Sequence, residues 1–159
     1  MATYNMAFAG FRHNHVYSLL GFVKANERIT ILGGWEDFEE DKKLAEESYG
    51  INFCYDSYED ILNDDKVDII AIGNYYGARG KMIIDALKHG KHVISDKPIC
   101  TDLKELDEIE KLQRETGLSV FAMLDLRFVP NVATAKRLIE KGEIGEVTAI
   151  YFGGQHQLS

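Results

Sequence analysis

The hydrophobic and polar positions along the chain change period repeatedly, and the changes mark out alternating strands and helices. Residues 3–9 form a short apolar run, and from His15 to Lys24 the apolar positions Val16, Leu19, Leu20 and Val23 recur at helical spacing. Ile29-Thr30-Ile31-Leu32 predicts a second strand, ending through Gly33, Gly34, Trp35 and Glu36. Phe38 to Tyr49 reads as a helix that Gly50 stops. Asn52 to Tyr55 is a short strand, and Ser57 caps a short helix with Asp60 at its third helical position. Val67 to Ile72, VDIIAI, has the apolar continuity of a strand buried on both faces. A glycine-bearing loop from Gly73 to Gly80 leads to a helix from Lys81 to His89, ended by Gly90, and to a strand from His92 to Ser95. Thr101 caps a helix from Asp102 to Thr116, which Gly117 ends, and Ser119 to Leu126 is the next strand. Pro130 opens a helix to Lys141, Gly142 and Gly145 punctuate, and Val147 to Phe152 reads as a last strand.

Strands that alternate with helices, without hairpin signals, form βαβ units. The expected fold class is therefore α/β, a doubly wound parallel sheet with right-handed crossovers. Ligands bind such sheets beyond the carboxyl ends of the strands. That rule gathers Gly10 to His15, Glu36, Gly73 to Tyr76, Asp96 to Pro98, and Asp125 to Arg127 into one candidate crevice.

The chain has 159 residues and is 45% hydrophobic, enough for one full core and about one domain. Its formal net charge of −8 argues against a nucleic-acid or anionic-membrane partner, because phosphates would be repelled. Cys54 and Cys100 lack metal-site spacing and are too few for a disulfide framework, so both are expected reduced, in a cytoplasmic protein. No stretch approaches the ~20 apolar residues of a membrane span, and no basic residue precedes the first apolar run as in a signal peptide.

Several residues at the expected strand ends carry chemistry. Gly10, Arg12 and His15 stand at the glycine positions of a GxGxxG turn, which cradles a pyrophosphate against a helix N-terminus; an ordinary strand-to-helix turn is the alternative. Glu36 lies where a carboxylate accepts from both hydroxyls of an adenosine ribose and repels a 2′-phosphate, favouring NAD over NADP. It could equally be a solvated acid in the run Asp37, Glu39, Glu40. Arg12 could stack on adenine, bind a phosphate, or serve as a surface charge. Lys97, between Asp96 and Pro98, is held at a strand end where it could donate to a hydroxyl or transfer a proton; pairing with Asp96 on the rim is the plainer role.

His13 and His15 flank Asn14, and their i, i+2 spacing does not converge on one helical face, so no metal site is expected. Phosphate-loop hydrogen bonding or packing suits them better. His89 is explained by a helix C-terminus, and His156 receives no role. Trp35, Phe11, Tyr75 and Tyr76 could line a ring pocket or cover the core.

The GxGxxG-like turn, the acid after strand two, KHVISDKP, and LRFVPNVATAKRLIEKGEIGEV together resemble the N-terminal half of the Gfo/Idh/MocA oxidoreductases, over essentially the whole chain. KHVISDKP is similar to the family's KHVxxEKP, with Asp96 in place of glutamate. The resemblance implies a Rossmann domain over residues 1–126 that binds NAD, or less readily NADP. Residues 127–159 would be a connecting helix and the first strand of a second, α+β substrate domain that is cut short here.

It further implies Lys97 as the catalytic lysine assisting proton transfer while hydride passes to nicotinamide C4. The cofactor-binding set would be Gly10, Phe11, Arg12, His13, Asn14, Glu36, Asn74, Tyr75, Asp96, Lys97 and Arg127. Arg12 and His15 replace glycines, Asn74 and Tyr75 stand where Thr-Pro is common, and Asp125 stands where asparagine is common. The implied function is hydride transfer from a sugar-like or cyclitol hydroxyl in a homo-oligomeric enzyme. NAD-dependent lyases or hydrolases of the same family, and a non-catalytic nucleotide sensor on the same scaffold, are the alternatives. The family's further catalytic aspartate and histidine fall beyond Gly145, so the 159 residues alone are expected to be inactive. A last strand at 147–152 without partners would leave an apolar edge that favours self-association.

Overall fold

The computed structural model describes residues 3–151 and 153. These divide between Met123 and Leu124 into two compact units. The first holds β1 (Tyr4–Ala9), α1 (Asn14–Lys24), β2 (Ile29–Trp35), α2 (Glu39–Tyr49), α3 (Tyr58–Asn63), β3 (Ile69–Ile72), α4 (Tyr76–Lys88), β4 (His92–Ser95), α5 (Leu103–Thr116) and β5 (Val120–Ala122). The five strands form one all-parallel sheet in the order β2-β1-β3-β4-β5. The order reverses at β1, next to β3, and such a switch point opens a crevice at the strand C-termini.

Period-two alternation along the strands feeds a core on each face of the sheet. Ile70, Ile72 and Val93 pack with Ile61 and Leu62 of α3, Ile83 and Leu87 of α4, and Ile109 of α5. Their neighbours Met6, Phe8 and Ala71 face the other way, onto Val16, Leu20 and Val23 of α1 and Ala45 of α2. The continuous apolar runs of the sequence are the consequence: β1 and β3 have no solvent face.

Local chemistry shifts several boundaries. Residues 52–55 are not a strand; Gly34 N–H donates to Asn52 O at 3.0 Å beside β2, but no ladder continues from it. The helix expected from Lys81 begins five residues earlier, at Tyr76, because neither glycine within it interrupts it. Gly80 is there for close approach, since a Cβ would lie 2.9 Å from Cys100 Cβ and against the Glu105 carboxylate. Asp102, not Thr101, caps α5, accepting from Lys104 N–H at 2.8 Å. Ser57 and Asp60 form a reciprocal capping box on α3, as their spacing indicates.

β5 stops at Ala122, where its ladder with Ser95 ends, so the expected strand to Leu126 is cut short. The second unit contains a 3-10 turn, Asp125–Phe128, and α6, Pro130–Glu140, with proline at its first turn. Residues 147–151 carry no strand, since no ladder forms there among the described residues; Phe152 lies outside them. The apolar strand edge expected there is therefore not formed over 147–151. Cys54 and Cys100 are both free thiols. Among the described residues no helix is long and apolar enough to cross a membrane.

The crevice depends on a close backbone crossing. A Cβ on Gly73 would lie 2.6 Å from Gly10 O and 2.8 Å from Val16 Cβ, so the β1–α1 and β3–α4 turns meet only because it is glycine. Gly73→Ala is expected to cost about 1–3 kcal/mol through this overpacking, read as a lower urea midpoint at unchanged m-value. Gly21→Ala should act oppositely: its Cβ would meet nothing within 4 Å on α1. Removing a helix-interior glycine is then expected to stabilise by about 0.5–1 kcal/mol in the same titration.

Candidate functional site

The C-terminal ends of β1, β3 and β4 converge on Asp96, whose side chain is completely buried. A buried carboxylate needs donors on both oxygens, and Asp96 has them. Lys97 N–H donates to Oδ1 at 2.7 Å. Arg79 Nη2, from α4, reaches Oδ2 at 3.2 Å, and His13 Nδ1, from the β1–α1 turn, reaches it at 2.7 Å. Three chain segments remote in sequence are thereby pinned to one group.

Arg79 is 2% exposed and joins two loops. Its Nε donates to Asn74 O at 2.6 Å and its Nη1 to Lys97 O at 2.7 Å and Pro98 O at 3.3 Å. Charged donors to carbonyls and a carboxylate fix the backbone on either side of Lys97, whose own side chain is exposed. Sequence reasoning missed Arg79. The available signal is helical phase, since Arg79 lies three and four residues before Met82 and Ile83 on the buried face of α4.

The β1–α1 turn is organised by Glu36. Its carboxylate is closed to solvent and accepts from Phe11 N–H at 2.6 Å, Arg12 Nε at 2.9 Å and Phe38 N–H at 2.9 Å. Glu36 is at the expected strand end, but its oxygens serve the protein itself. The expected direct grip on ribose hydroxyls does not fit this burial. Asp37, about half exposed, presents the outward carboxylate and accepts from Arg12 Nη2 at 2.7 Å. Asp41 is 3.3 Å from Arg12 Nε, and the guanidinium lies 4.6 Å from the centre of the Phe38 ring. Arg12 is thus ringed by three carboxylates and cannot be a free phosphate ligand. Burial pushes the Glu36 carboxyl above the usual range; burial acts the same way on Asp37, but the hydrogen bond and charge of Arg12 help to hold it below.

Gly10 has φ +86, and a Cβ there would lie 2.5 Å from Asn74 N. Asn74 is buried, its Oδ1 accepting from Tyr75 N–H at 2.7 Å, and Tyr75 is an exposed N-cap of α4. Of the two readings for Phe11, the structure shows core cover: it is 1% exposed and packs on Phe8, Tyr17 and Phe53. Trp35 also packs inward, against Tyr58. Arg127 is in the 3-10 turn of the second unit.

His13 and His15 stack, with centroids 4.8 Å apart, contrary to the divergence expected from i, i+2 spacing. The reason is that His13 is the N-cap, with φ −150 and ψ 146, so helical spacing does not govern it. Potential ligand atoms of His13, His15 and Asp96 lie within 4.8 Å of one another. A cation there would compete with the Arg79 and Lys97 donors on Asp96 and face the Arg79 and Lys97 charges and the positive end of α1. His89 Nδ1 meets Asp85 O at 2.8 Å at the end of α4, and His92 Nδ1 accepts from Ser119 N–H at 3.0 Å. His156 lies outside the described residues.

A Rossmann turn holds a diphosphate with helix-terminal amides, and the structure offers such amides. Gly10, Phe11 and Arg12 N–H groups are used internally, by Trp35 O, Glu36 and Gly73 O. Those of His13 and Asn14 have no acceptor among the described residues.

The sequence model of the GFO_IDH_MocA family, described as an oxidoreductase family with an NAD-binding Rossmann fold, matches residues 10–123. The scyllo-inositol 2-dehydrogenase (NAD(+)) of Bacillus subtilis (strain 168) is 36% identical over 99 residues, 62% of this chain and 28% of that protein. The D-xylose dehydrogenase of Paenarthrobacter nicotinovorans is 26% identical over 109 residues, 69% of this chain and 28% of that protein. The crystal structure of Lactobacillus casei scyllo-inositol dehydrogenase with bound NAD(H) and scyllo-inositol superimposes with a TM-score of 0.78 at 21% identity, covering 92% of this chain and 43% of that one. That likeness is one of fold, and the chain spans less than half the length of each of these relatives. By the match over residues 10–123, the chain belongs to the Gfo/Idh/MocA oxidoreductase family and carries its NAD-binding Rossmann fold.

Proposed function

We propose that this chain is the nucleotide-binding part of an oxidoreductase that removes hydride from a hydroxyl of a cyclitol or sugar. The carrying observation is the juxtaposition at Asp96, which ties Lys97 to the turn bearing the open amides of His13 and Asn14. A diphosphate would be held by those amides and the positive end of α1. The adenosine ribose would meet Asp37, with Glu36 and Arg12 behind it setting its position. Bound NAD supplies the hydride acceptor. Lys97, on a loop fixed by Arg79, would donate to the substrate oxygen and orient it. The substrate class follows the names of the relatives, a scyllo-inositol and a D-xylose dehydrogenase.

Calorimetry on this chain tests the cofactor assignment. NAD+ is expected to bind more tightly than NADP+, because a 2′-phosphate would face Asp37 and Asp41 around Arg12. Equal or tighter NADP+ binding would overturn the assignment. Asp37→Asn is expected to weaken NAD+ about tenfold, or about 1.4 kcal/mol, and to narrow the gap to NADP+.

Glu36→Gln separates structure from binding. It removes the charge that accepts three donors, and should lower stability by about 1–3 kcal/mol, read as a lower thermal midpoint. Lys97→Ala, in the protein containing this chain, is expected to reduce kcat for NAD+-dependent oxidation of scyllo-inositol by about 10²-fold or more, with little change in the Kd for NAD+. An unchanged kcat would remove Lys97 from the chemistry.

A further inference from the structure

We propose that Arg79 is a positioning residue of this site, which sets where the Lys97 side chain stands by gripping the backbone of Lys97 and Pro98 and tying it to the turn after β3. The proposal rests on the oxidoreductase reading above and adds to it a residue that acts through Lys97 and not on the substrate.

The grip closes a ring around one residue. Lys97 N–H donates to Asp96 Oδ1 at 2.7 Å, and Lys97 O accepts from Arg79 Nη1, also at 2.7 Å. The two holders are themselves joined, Arg79 Nη2 to Asp96 Oδ2 at 3.2 Å. Both backbone polar groups of Lys97 are therefore held by one buried ion pair, whose side chains are 2% and 0% exposed. Asp96 alone would hold only the amide side. Arg79 adds the carbonyl of Lys97, that of Pro98 at 3.3 Å, and through Nε that of Asn74 at 2.6 Å. The Lys97 side chain is itself exposed, so what this ring fixes is the point from which it departs.

Arginine is the residue type that this arrangement requires. Its planar guanidinium carries donors on three nitrogens, and the acceptors lie on two loops and on a carboxylate, in different directions. A lysine at 79 would keep the charge opposite Asp96 but concentrate its donors on one nitrogen, losing the separate bonds that reach Asn74 O, Lys97 O and Asp96 together.

The position of Lys97 matters because proton transfer works only over hydrogen-bond distance, and a displacement of about 1 Å in an active site costs about 10²-fold in rate. The lysine stem is a flexible chain of four carbons, so drift of its backbone anchor adds to the freedom the ammonium already has. Holding the anchor on both sides removes that addition.

Arg79→Lys is the testing substitution, because it keeps the buried charge. In the protein containing this chain, kcat for NAD+-dependent oxidation of scyllo-inositol is expected to fall about tenfold or more, with the Kd for NAD+ changed less than about twofold. A merely structural Arg79 would lower kcat too, so the deciding measurement is the double-mutant cycle with Lys97→Ala. A residue that acts through Lys97 has nothing to act on there, and Arg79→Lys is expected to change kcat less than about twofold in that background. A loss as large as in the presence of Lys97 would overturn the proposal. In this chain without ligand, amide exchange at Lys97 is expected to rise about tenfold in Arg79→Lys, while Phe8 and Ala71, paired in the central strands, exchange as before. Unchanged exchange at Lys97 would overturn the proposal independently of activity. If Arg79→Lys does not fold, Arg79→Met combined with Asp96→Asn takes its place and is read in the same way, since removing both charges leaves neither unpaired. Absence of turnover by the unsubstituted protein with NAD+ and either scyllo-inositol or D-xylose would overturn the oxidoreductase reading as well, whereas turnover with an undiminished loss in the Lys97→Ala background defeats only the assignment of Arg79.

Discussion

A single buried carboxylate holds the site together. Asp96 has no contact with solvent, yet lies where the ends of three strands meet, and an ionised group there is tolerable only because the Lys97 amide donates to one oxygen and Arg79 to the other. The donors come from two segments, Arg79 from α4 and Lys97 from the loop that carries it, and His13 of the first turn lies 2.7 Å from the same carboxylate. Removing either donor would leave a buried charge incompletely satisfied. The requirement to satisfy Asp96 therefore couples the β3–α4 turn to the DKP loop directionally, since hydrogen bonds prescribe direction and hydrophobic contact does not.

A second buried acid does comparable work at the other end of the crevice. Glu36 ties the start of the β1–α1 turn to the end of β2 by accepting from Phe11, Arg12 and Phe38. In a domain whose turn retains Gly10 but has Arg12 and His15 at the other glycine positions, these bonds substitute for the shape that glycines would give. Arg12 is drawn onto Glu36, Asp37 and Asp41.

Much of the fold was legible in the chain. Continuous apolar runs such as VDIIAI, separated by helical spacing and stopped by Gly50, Gly90 and Gly117, dictate a parallel sheet covered on both faces, because only βαβ crossovers bury such strands. The errors were local and physical. The α4 glycines looked like a loop, but Gly80 serves a close approach to α5. Residues 52–55 have strand composition but only one backbone bond to β2. Residues 147–151 have the pattern of a strand and no ladder to make one.

The sequence by itself determined which residues stand at the strand ends, because strand period and helix stops are properties of neighbours along the chain. It thus identified Gly10, Glu36, Asn74, Asp96 and Lys97 as one group. Only the tertiary structure decided what each does. Whether Glu36 faces a ligand or a turn and whether Arg79 lies on the surface or against the backbone of Lys97 depend on contacts between segments 17 to 25 residues apart. Hydrogen bonds to a buried charge are formed in three dimensions, and no local pattern encodes their partners.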